Sequence, residues 1–158
     1  MSGSLQLVIF SLDEQMYGLN VSVVERIIRA VEVFPLPEHP ANILGAVNFQ
    51  GRIIPVVDAS KRSRSTEREI NLSDRFIVAG CSGGLVALVA DEVMGIVEVP
   101  EHQVADAMAI MPGLKLLTGL AQLDGAMILV LDPDAMLSPE QQKPLDMAVD
   151  EFETTRDA

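Results

Sequence analysis

A chain of 158 residues is enough for one or two small domains; 49% of it is hydrophobic, and with no Trp and 4% aromatics the core must come from Val, Ile, Leu and Met. A formal net charge of −12 sets the surface against nucleic-acid phosphates and anionic lipid, and in favour of partners with basic patches. There is no apolar run of about 18 residues to span a membrane, no basic-then-apolar leader at Met1-Ser2-Gly3-Ser4, and no second cysteine to pair with Cys81, so a cytoplasmic location is expected.

In chain order, residues 5–12 read as a strand. Asp13-Glu14-Gln15 turns it, and residues 16–21 run back as the hairpin partner. Ser22 and Glu25 have the spacing of a capping box, and Val24, Ile27 and Ile28 follow at i, i+3, i+4. Together they predict a helix of about two turns before extended chain. Pro35, Pro37 and Pro40 stiffen the next connection, because each fixes φ and removes a donor. Residues 43–49 and 52–58 form a second hairpin around Gln50-Gly51, with Pro55 expected at an edge or bulge.

The polar stretch 60–74 reads as a mobile loop carrying Lys61, Arg62, Arg64 and Arg68, four of the eleven basic residues. Strands follow at 75–81 and 85–91, turned by Ser82-Gly83-Gly84, and again at 95–100. A loop through Pro112-Gly113 leads to a last hairpin, 120–123 with 126–132, around Asp124-Gly125. Residues 132–137 suggest one helical turn. Beyond them, 138–158 hold six acids and two bases, which predicts a mobile acidic tail. Some nine or ten short strands with tight turns and little helix point to small β-barrels or a sandwich.

Candidate chemistry is sparse. Cys81 ends an apolar strand, His39 sits among prolines and His102 follows Pro100-Glu101. A small Cys-dependent hydrolase would need these to converge, whereas a strand thiol packed as a small hydrophobe is the simpler reading. Two histidines and one cysteine so far apart specify no zinc site, and Asp91-Glu92 and Asp132-Pro133-Asp134 fit turns and caps better than a hard-cation site. Ser82-Gly83-Gly84 lacks the Lys-Ser/Thr of a phosphate loop. The basic cluster fits a solvated loop or a contact with an acidic protein surface. Val24, Ile27 and Ile28 fit core packing or an apolar seat for a partner helix.

Residues 45–58, Gly-Ala-Val-Asn-Phe-Gln-Gly-Arg-Ile-Ile-Pro-Val-Val-Asp, closely resemble the CheW domain, whose motif runs G-V-x-N-x-R-G-x-x-x-P-V-x-D. Phe10-Ser11-Leu12 with Tyr17-Gly18-Leu19 looks like that family's opening hairpin. Val24-Glu25-Arg26-Ile27 looks like its V-x-E-I segment, and Phe34-Pro35-Leu36-Pro37 like its proline turn. Leu88-Val89-Ala90-Asp91-Glu92-Val93 with Gly95-Ile96-Val97, then Thr118-Gly119-Leu120-Ala121 and Ile128-Leu129-Val130-Leu131-Asp132, continue the likeness in order across residues 5–137.

The resemblance implies an all-β fold of two side-by-side five-stranded SH3-like barrels with one or two short helices over 5–137, followed by the tail. It implies no catalytic residue, cofactor or metal. It implies an adaptor joining the regulatory domain of a CheA-type histidine kinase to the helical cytoplasmic tip of a chemoreceptor, at receptor arrays on the inner face of the membrane without insertion. A non-chemotaxis pathway governing surface motility or development is the alternative. Carried over, the receptor groove takes Val24, Ile27, Ile28, Val47 and Phe49, and kinase-facing positions take Gly51, Val97 and Val99. Glu25, Gln50 and Arg52 set partner choice. Gln50 departs from the family's usual Arg, which is placed to pair with a glutamate at the position of Glu25. A glutamine cannot make that bidentate, charge-assisted contact, so altered partner choice is expected, with Arg52 and Arg29 as candidates to compensate.

Overall fold

The computed structural model describes residues 3–35, 43–59, 73–82, 84–106 and 117–136. The expectations for the proline turn beyond Pro35, the basic loop, the loop through Pro112-Gly113 and the acidic tail lie outside the described residues.

β1 (Ser4–Leu12) and β2 (Gln15–Asn20) form the opening hairpin. Its turn residues Asp13 and Glu14 both have positive φ, 51° and 67°, the left-handed pair that suits the twist of a two-residue hairpin loop. Asn20 then caps a 3-10 turn, Val21–Val23, by accepting the Ser22 N–H at 3.0 Å.

The helix expected from Ser22 does not form: Val24–Arg29 is a strand, β3. Its β-branched residues favour extended chain, and pairing with the next sheet strand overrides the capping signal, with Ile27 opposite Ile77 and Ile28 opposite Phe76. The helical stripe therefore dissolves, because neighbours on a strand point to opposite faces.

β4 (Ile43–Phe49) and β5 (Arg52–Val57) form the second hairpin, again with both turn residues at positive φ, Gln50 at 52° and Gly51 at 83°. β5 lies inside its sheet, but its parallel pairing with β7 (Gly84–Ala90) begins at Val56. The missing N–H of Pro55 thus falls just short of that ladder. β6 (Arg75–Cys81) and β11 (Ala126–Leu131) follow the sequence expectation closely, while β8 (Glu92–Pro100) and β10 (Leu117–Leu123) each begin three residues earlier than expected. A 3-10 turn at Glu101–Gln103 and the short β9 (Val104–Asp106) were not expected. The helical turn is α1, Pro133–Met136, capped by Asp132 Oδ1, which accepts the Asp134 N–H at 3.0 Å.

Among the described residues the strands make two sheets, β8-β1-β2-β11-β10-β9 and β3-β6-β7-β5-β4, so the first has six strands rather than the expected five. The second is built from one uninterrupted stretch, β3 to β7, inserted between β2 and β8. Past β3 the chain bends across to β4, where Phe34 and Ala46 exchange backbone hydrogen bonds of 2.8 and 2.9 Å.

β1 explains how the sheets pack. Leu7 and Ile9 point into a core with Val99, Ala121, Ile128 and Val130, within the six-stranded sheet. Val8, Phe10 and Leu12 point the other way, into a larger core with Tyr17, Leu19 and the buried runs 76–79 of β6 and 86–90 of β7. Both faces of β1, β6 and β7 are covered, so their sequences run apolar without alternation. Polar links cross the same junction. Asp91 N–H donates to Ser11 O at 2.8 Å, Asp91 Oδ2 accepts the Asp13 N–H at 2.9 Å, and Asp134 Oδ1 accepts the Ser82 N–H at 2.6 Å.

Candidate partner-binding surface

β3 is an edge strand, hydrogen-bonded only to β6 among the described strands. A register shift between Val24 and Arg26 leaves Glu25 without an opposite residue. Past it, Ile28 packs half-buried against the large core, while Ile27 on the other face is 40% exposed. Glu25, Arg26 and Arg29 are exposed, and Val31 continues the apolar strip at 45% exposure. Edge strands that keep apolar side chains in water are sites where another chain can settle.

The other expected positions are distributed around this strand. Val24 is half-buried against the core. Val47 and Phe49, on β4 at the far edge of the strand order, are core residues at 0% and 7% exposure. Of the five groove candidates, Ile27 alone presents open surface. Gln50, Gly51 and Arg52 are exposed at the β4–β5 turn, where Gly51 N–H donates to Asn48 Oδ1 at 3.0 Å. No hydrogen bond or ion pair joins Glu25 to Gln50 or Arg52 among the described residues. Val97 is half-buried and Val99 fully buried on β8, in the other sheet from Gly51.

Sequence reasoning missed two exposed aliphatics on β8, Met94 at 56% and Ile96 at 65%. Gly95, with φ 130°, pairs with Ile9, while Val93 pairs with Phe10; Met94 between them bulges outward. The signal was available: a glycine inside an apolar strand pattern marks a bulge. Met127 on β11 is also half exposed, at 50%.

Cys81 is half-buried at the end of β6 in the five-stranded sheet, and His102 is exposed in the turn after β8 of the six-stranded one; His39 lies outside the described residues. Among the described residues no group of three His, Cys, Asp or Glu is placed to hold a metal ion, and no helix is long and apolar enough to cross a membrane. An open cleft of about 360 Å³ lies where β2 hands the chain to β3, lined by Ser4, Leu5, Gln6, Asn20, Val21 and Ser22.

Comparison with known proteins gives this surface a context. The chain is 30% identical over 133 residues to the chemotaxis protein CheW of Thermotoga maritima, covering 81% of this chain and 84% of that one. It is 32% identical over 92 residues to the protein FrzA of Myxococcus xanthus, covering 58% and 57%. The crystal structure of the scaffolding protein TtCheW from Thermoanaerobacter tengcongensis superposes with a TM-score of 0.74 at 27% identity, covering 85% and 88%. The family model of the CheW-like domain matches residues 6–141, and the chain belongs to that family.

Proposed function

We propose that the protein is a non-catalytic adaptor that couples the cytoplasmic tip of a chemoreceptor to the regulatory domain of a CheA-type histidine kinase. The observation that carries this reading is the CheW-like match over residues 6–141, together with the likeness to a structure titled as a scaffolding protein. On this reading the protein is cytoplasmic and is recruited to receptor arrays through its partners.

A receptor tip is a helical hairpin. A helix laid against a sheet edge is held by apolar anchors about one turn apart. β3 offers Ile27 as the open contact, with Val24 and Ile28 half-buried beside it and Val47 and Phe49 as support within the core. Ile27→Glu is expected to weaken binding of a receptor cytoplasmic fragment by about tenfold, near 1.4 kcal/mol, by calorimetry. Affinity for the kinase domain and the melting temperature should stay unchanged. Ile28→Glu would instead bury a charge against the core and lower the melting temperature, so it cannot serve as the clean probe.

Partner choice falls to Glu25, Gln50 and Arg52, and the kinase-facing surface to Gly51 and half-buried Val97, with Val99 buried behind it as support. Gln50→Arg adds a cation to an exposed turn. It is expected to shift the ratio of receptor to kinase affinity by about two- to fivefold, less at high salt. An unchanged ratio at both low and high salt would remove Gln50 from the specificity set.

The deciding experiment is co-precipitation with the kinase regulatory domain and a receptor cytoplasmic fragment of the same organism. Capture of both supports the adaptor role, and capture of neither overturns it. A second reading, a scaffold for a non-chemotaxis receptor–kinase pathway, is favoured by the match to FrzA, whose name is not that of a chemotaxis protein. Capture of a kinase from such a pathway in place of the chemotaxis kinase would select it.

A further inference from the structure

β8 ends the six-stranded sheet, and among the described residues no strand pairs with its outer side. It is the longest of the four edge strands, nine residues against six in β3, seven in β4 and three in β9. It also carries the exposed aliphatics Met94 and Ile96. A long edge with apolar side chains in water is a template for another strand.

The backbone of β8 can receive one. Glu101 N–H donates to Gly3 O at 3.0 Å, one step beyond the Ser4–Pro100 pair. In an antiparallel ladder alternate residues face the same neighbour. Glu101, Val99 and Val97 therefore turn their backbone groups to β1, and Ile96 and Glu98 turn theirs outward.

Three features oppose the addition of a strand. Pro100 belongs to the outward set and has no N–H to offer. The bulge at Met94, where the register steps from Ile9–Gly95 to Phe10–Val93, interrupts the edge. Exposed Glu92 and Glu98 stand at the two ends of the apolar pair, and Ser4 Oγ donates to Glu98 Oε1 at 2.9 Å, which holds that carboxylate beside the strand. A two-fold dimer through β8 lays the two strands antiparallel. The Glu92 end of each copy then meets the Glu98 end of the other, to within about one residue, ~3 Å, however the bulge is accommodated. Like charges are brought together, and the two-fold axis makes the contact twice.

We propose that β8 is a latent self-pairing edge that Glu92 and Glu98 hold open. Their repulsion keeps a second copy of the chain from adding its own β8. Pro100 and the bulge weaken the pairing, and the two acids decide its sign, so reversing one charge turns repulsion into attraction and makes a dimer. The inference does not depend on the adaptor reading.

The test is analytical ultracentrifugation of the full-length protein at about 0.1 mM, a concentration that detects weak association. The unaltered chain should sediment as a monomer. Glu98→Lys, and separately Glu92→Lys, should self-associate about tenfold more tightly, and less so at ~0.5 M salt. Glu32→Lys makes the same change in net charge at an exposed position after β3, and should leave the protein monomeric. Adding Ile96→Ser to Glu98→Lys should return the monomer, because the apolar contact between the copies is lost. Monomers from both lysine variants of β8, an equal dimer from Glu32→Lys, or a dimer that survives Ile96→Ser would each overturn the proposal.

Discussion

Phe10→Ala is expected to remove about 3–5 kcal/mol of stability. Phe10 is wholly buried and stacks on Tyr17 with ring centroids 5.5 Å apart and planes 21° from parallel. It stands opposite Tyr17 on β2 and Val93 on β8, and its side chain enters the core that the six-stranded sheet shares with β6 and β7. Alanine would therefore open a cavity between the two sheets and also forfeit the ring–ring contact. Domains of this size have only about 5–15 kcal/mol in total. With a urea dependence of about 2 kcal/mol per molar, the unfolding midpoint should fall by ~2 M. The loss should come as one transition, because Phe10 sits in the larger core that the two sheets share. A fall below about 0.5 M, or two separated transitions, would mean that the sheets are independently stable.

Gly45→Ala is expected to be comparably damaging for a different reason. Gly45 has φ 152°, and a Cβ added there would lie 2.5 Å from Phe34 O and 2.7 Å from Val33 Cγ1. Phe34 O accepts the Ala46 N–H at 2.9 Å in the bridge that draws the end of the β3 segment onto β4. A methyl group would push that carbonyl away and force an alanine into backbone space that side chains avoid, a cost on the order of 3 kcal/mol. Gly51→Ala makes the control. Its φ is also positive, 83°, but nothing lies within 4 Å of the new methyl, so only backbone strain of about 1 kcal/mol is expected. Equal melting temperatures for the two variants would show that the Phe34–Ala46 bridge contributes little.

Much of the fold was legible where one residue dictated local geometry. Gln50-Gly51 and Asp124-Gly125 announced their hairpins because a two-residue loop needs positive φ at both positions, and all four residues have it. Asp132 and Pro133 marked the helical turn for the same local reason. The failures come where distant partners decide. The capping spacing of Ser22 and Glu25 was a sound local signal, but β6 supplies five paired positions along β3. The parallel pairings of β2 with β11 and of β5 with β7 join residues that no periodicity connects. The candidate site shows the same limit. Sequence could nominate Ile27, Ile28, Val47 and Phe49 as apolar residues of matching motifs. Which of them faces water depends on the sheets that cover them, and that leaves Ile27 open and Val47 sealed.

The insertion of the five-stranded sheet within the six-stranded one also sets an order of assembly during synthesis. The β1–β2 hairpin is the first element made, yet Met16 on β2 must wait for Ile128 on β11, and Leu7 on β1 for Val97 on β8. At translation rates of roughly 5–20 residues per second, the wait for β11 is on the order of 5–20 s, long compared with the microseconds in which a hairpin closes. Throughout it the apolar run Leu7-Val8-Ile9-Phe10 has only part of its cover. The inserted sheet, complete once β7 emerges, gives Val8, Phe10 and Leu12 a surface to rest on before their own sheet exists. The nascent chain thus shelters its most aggregation-prone strand with the middle of the molecule while the end is still being made.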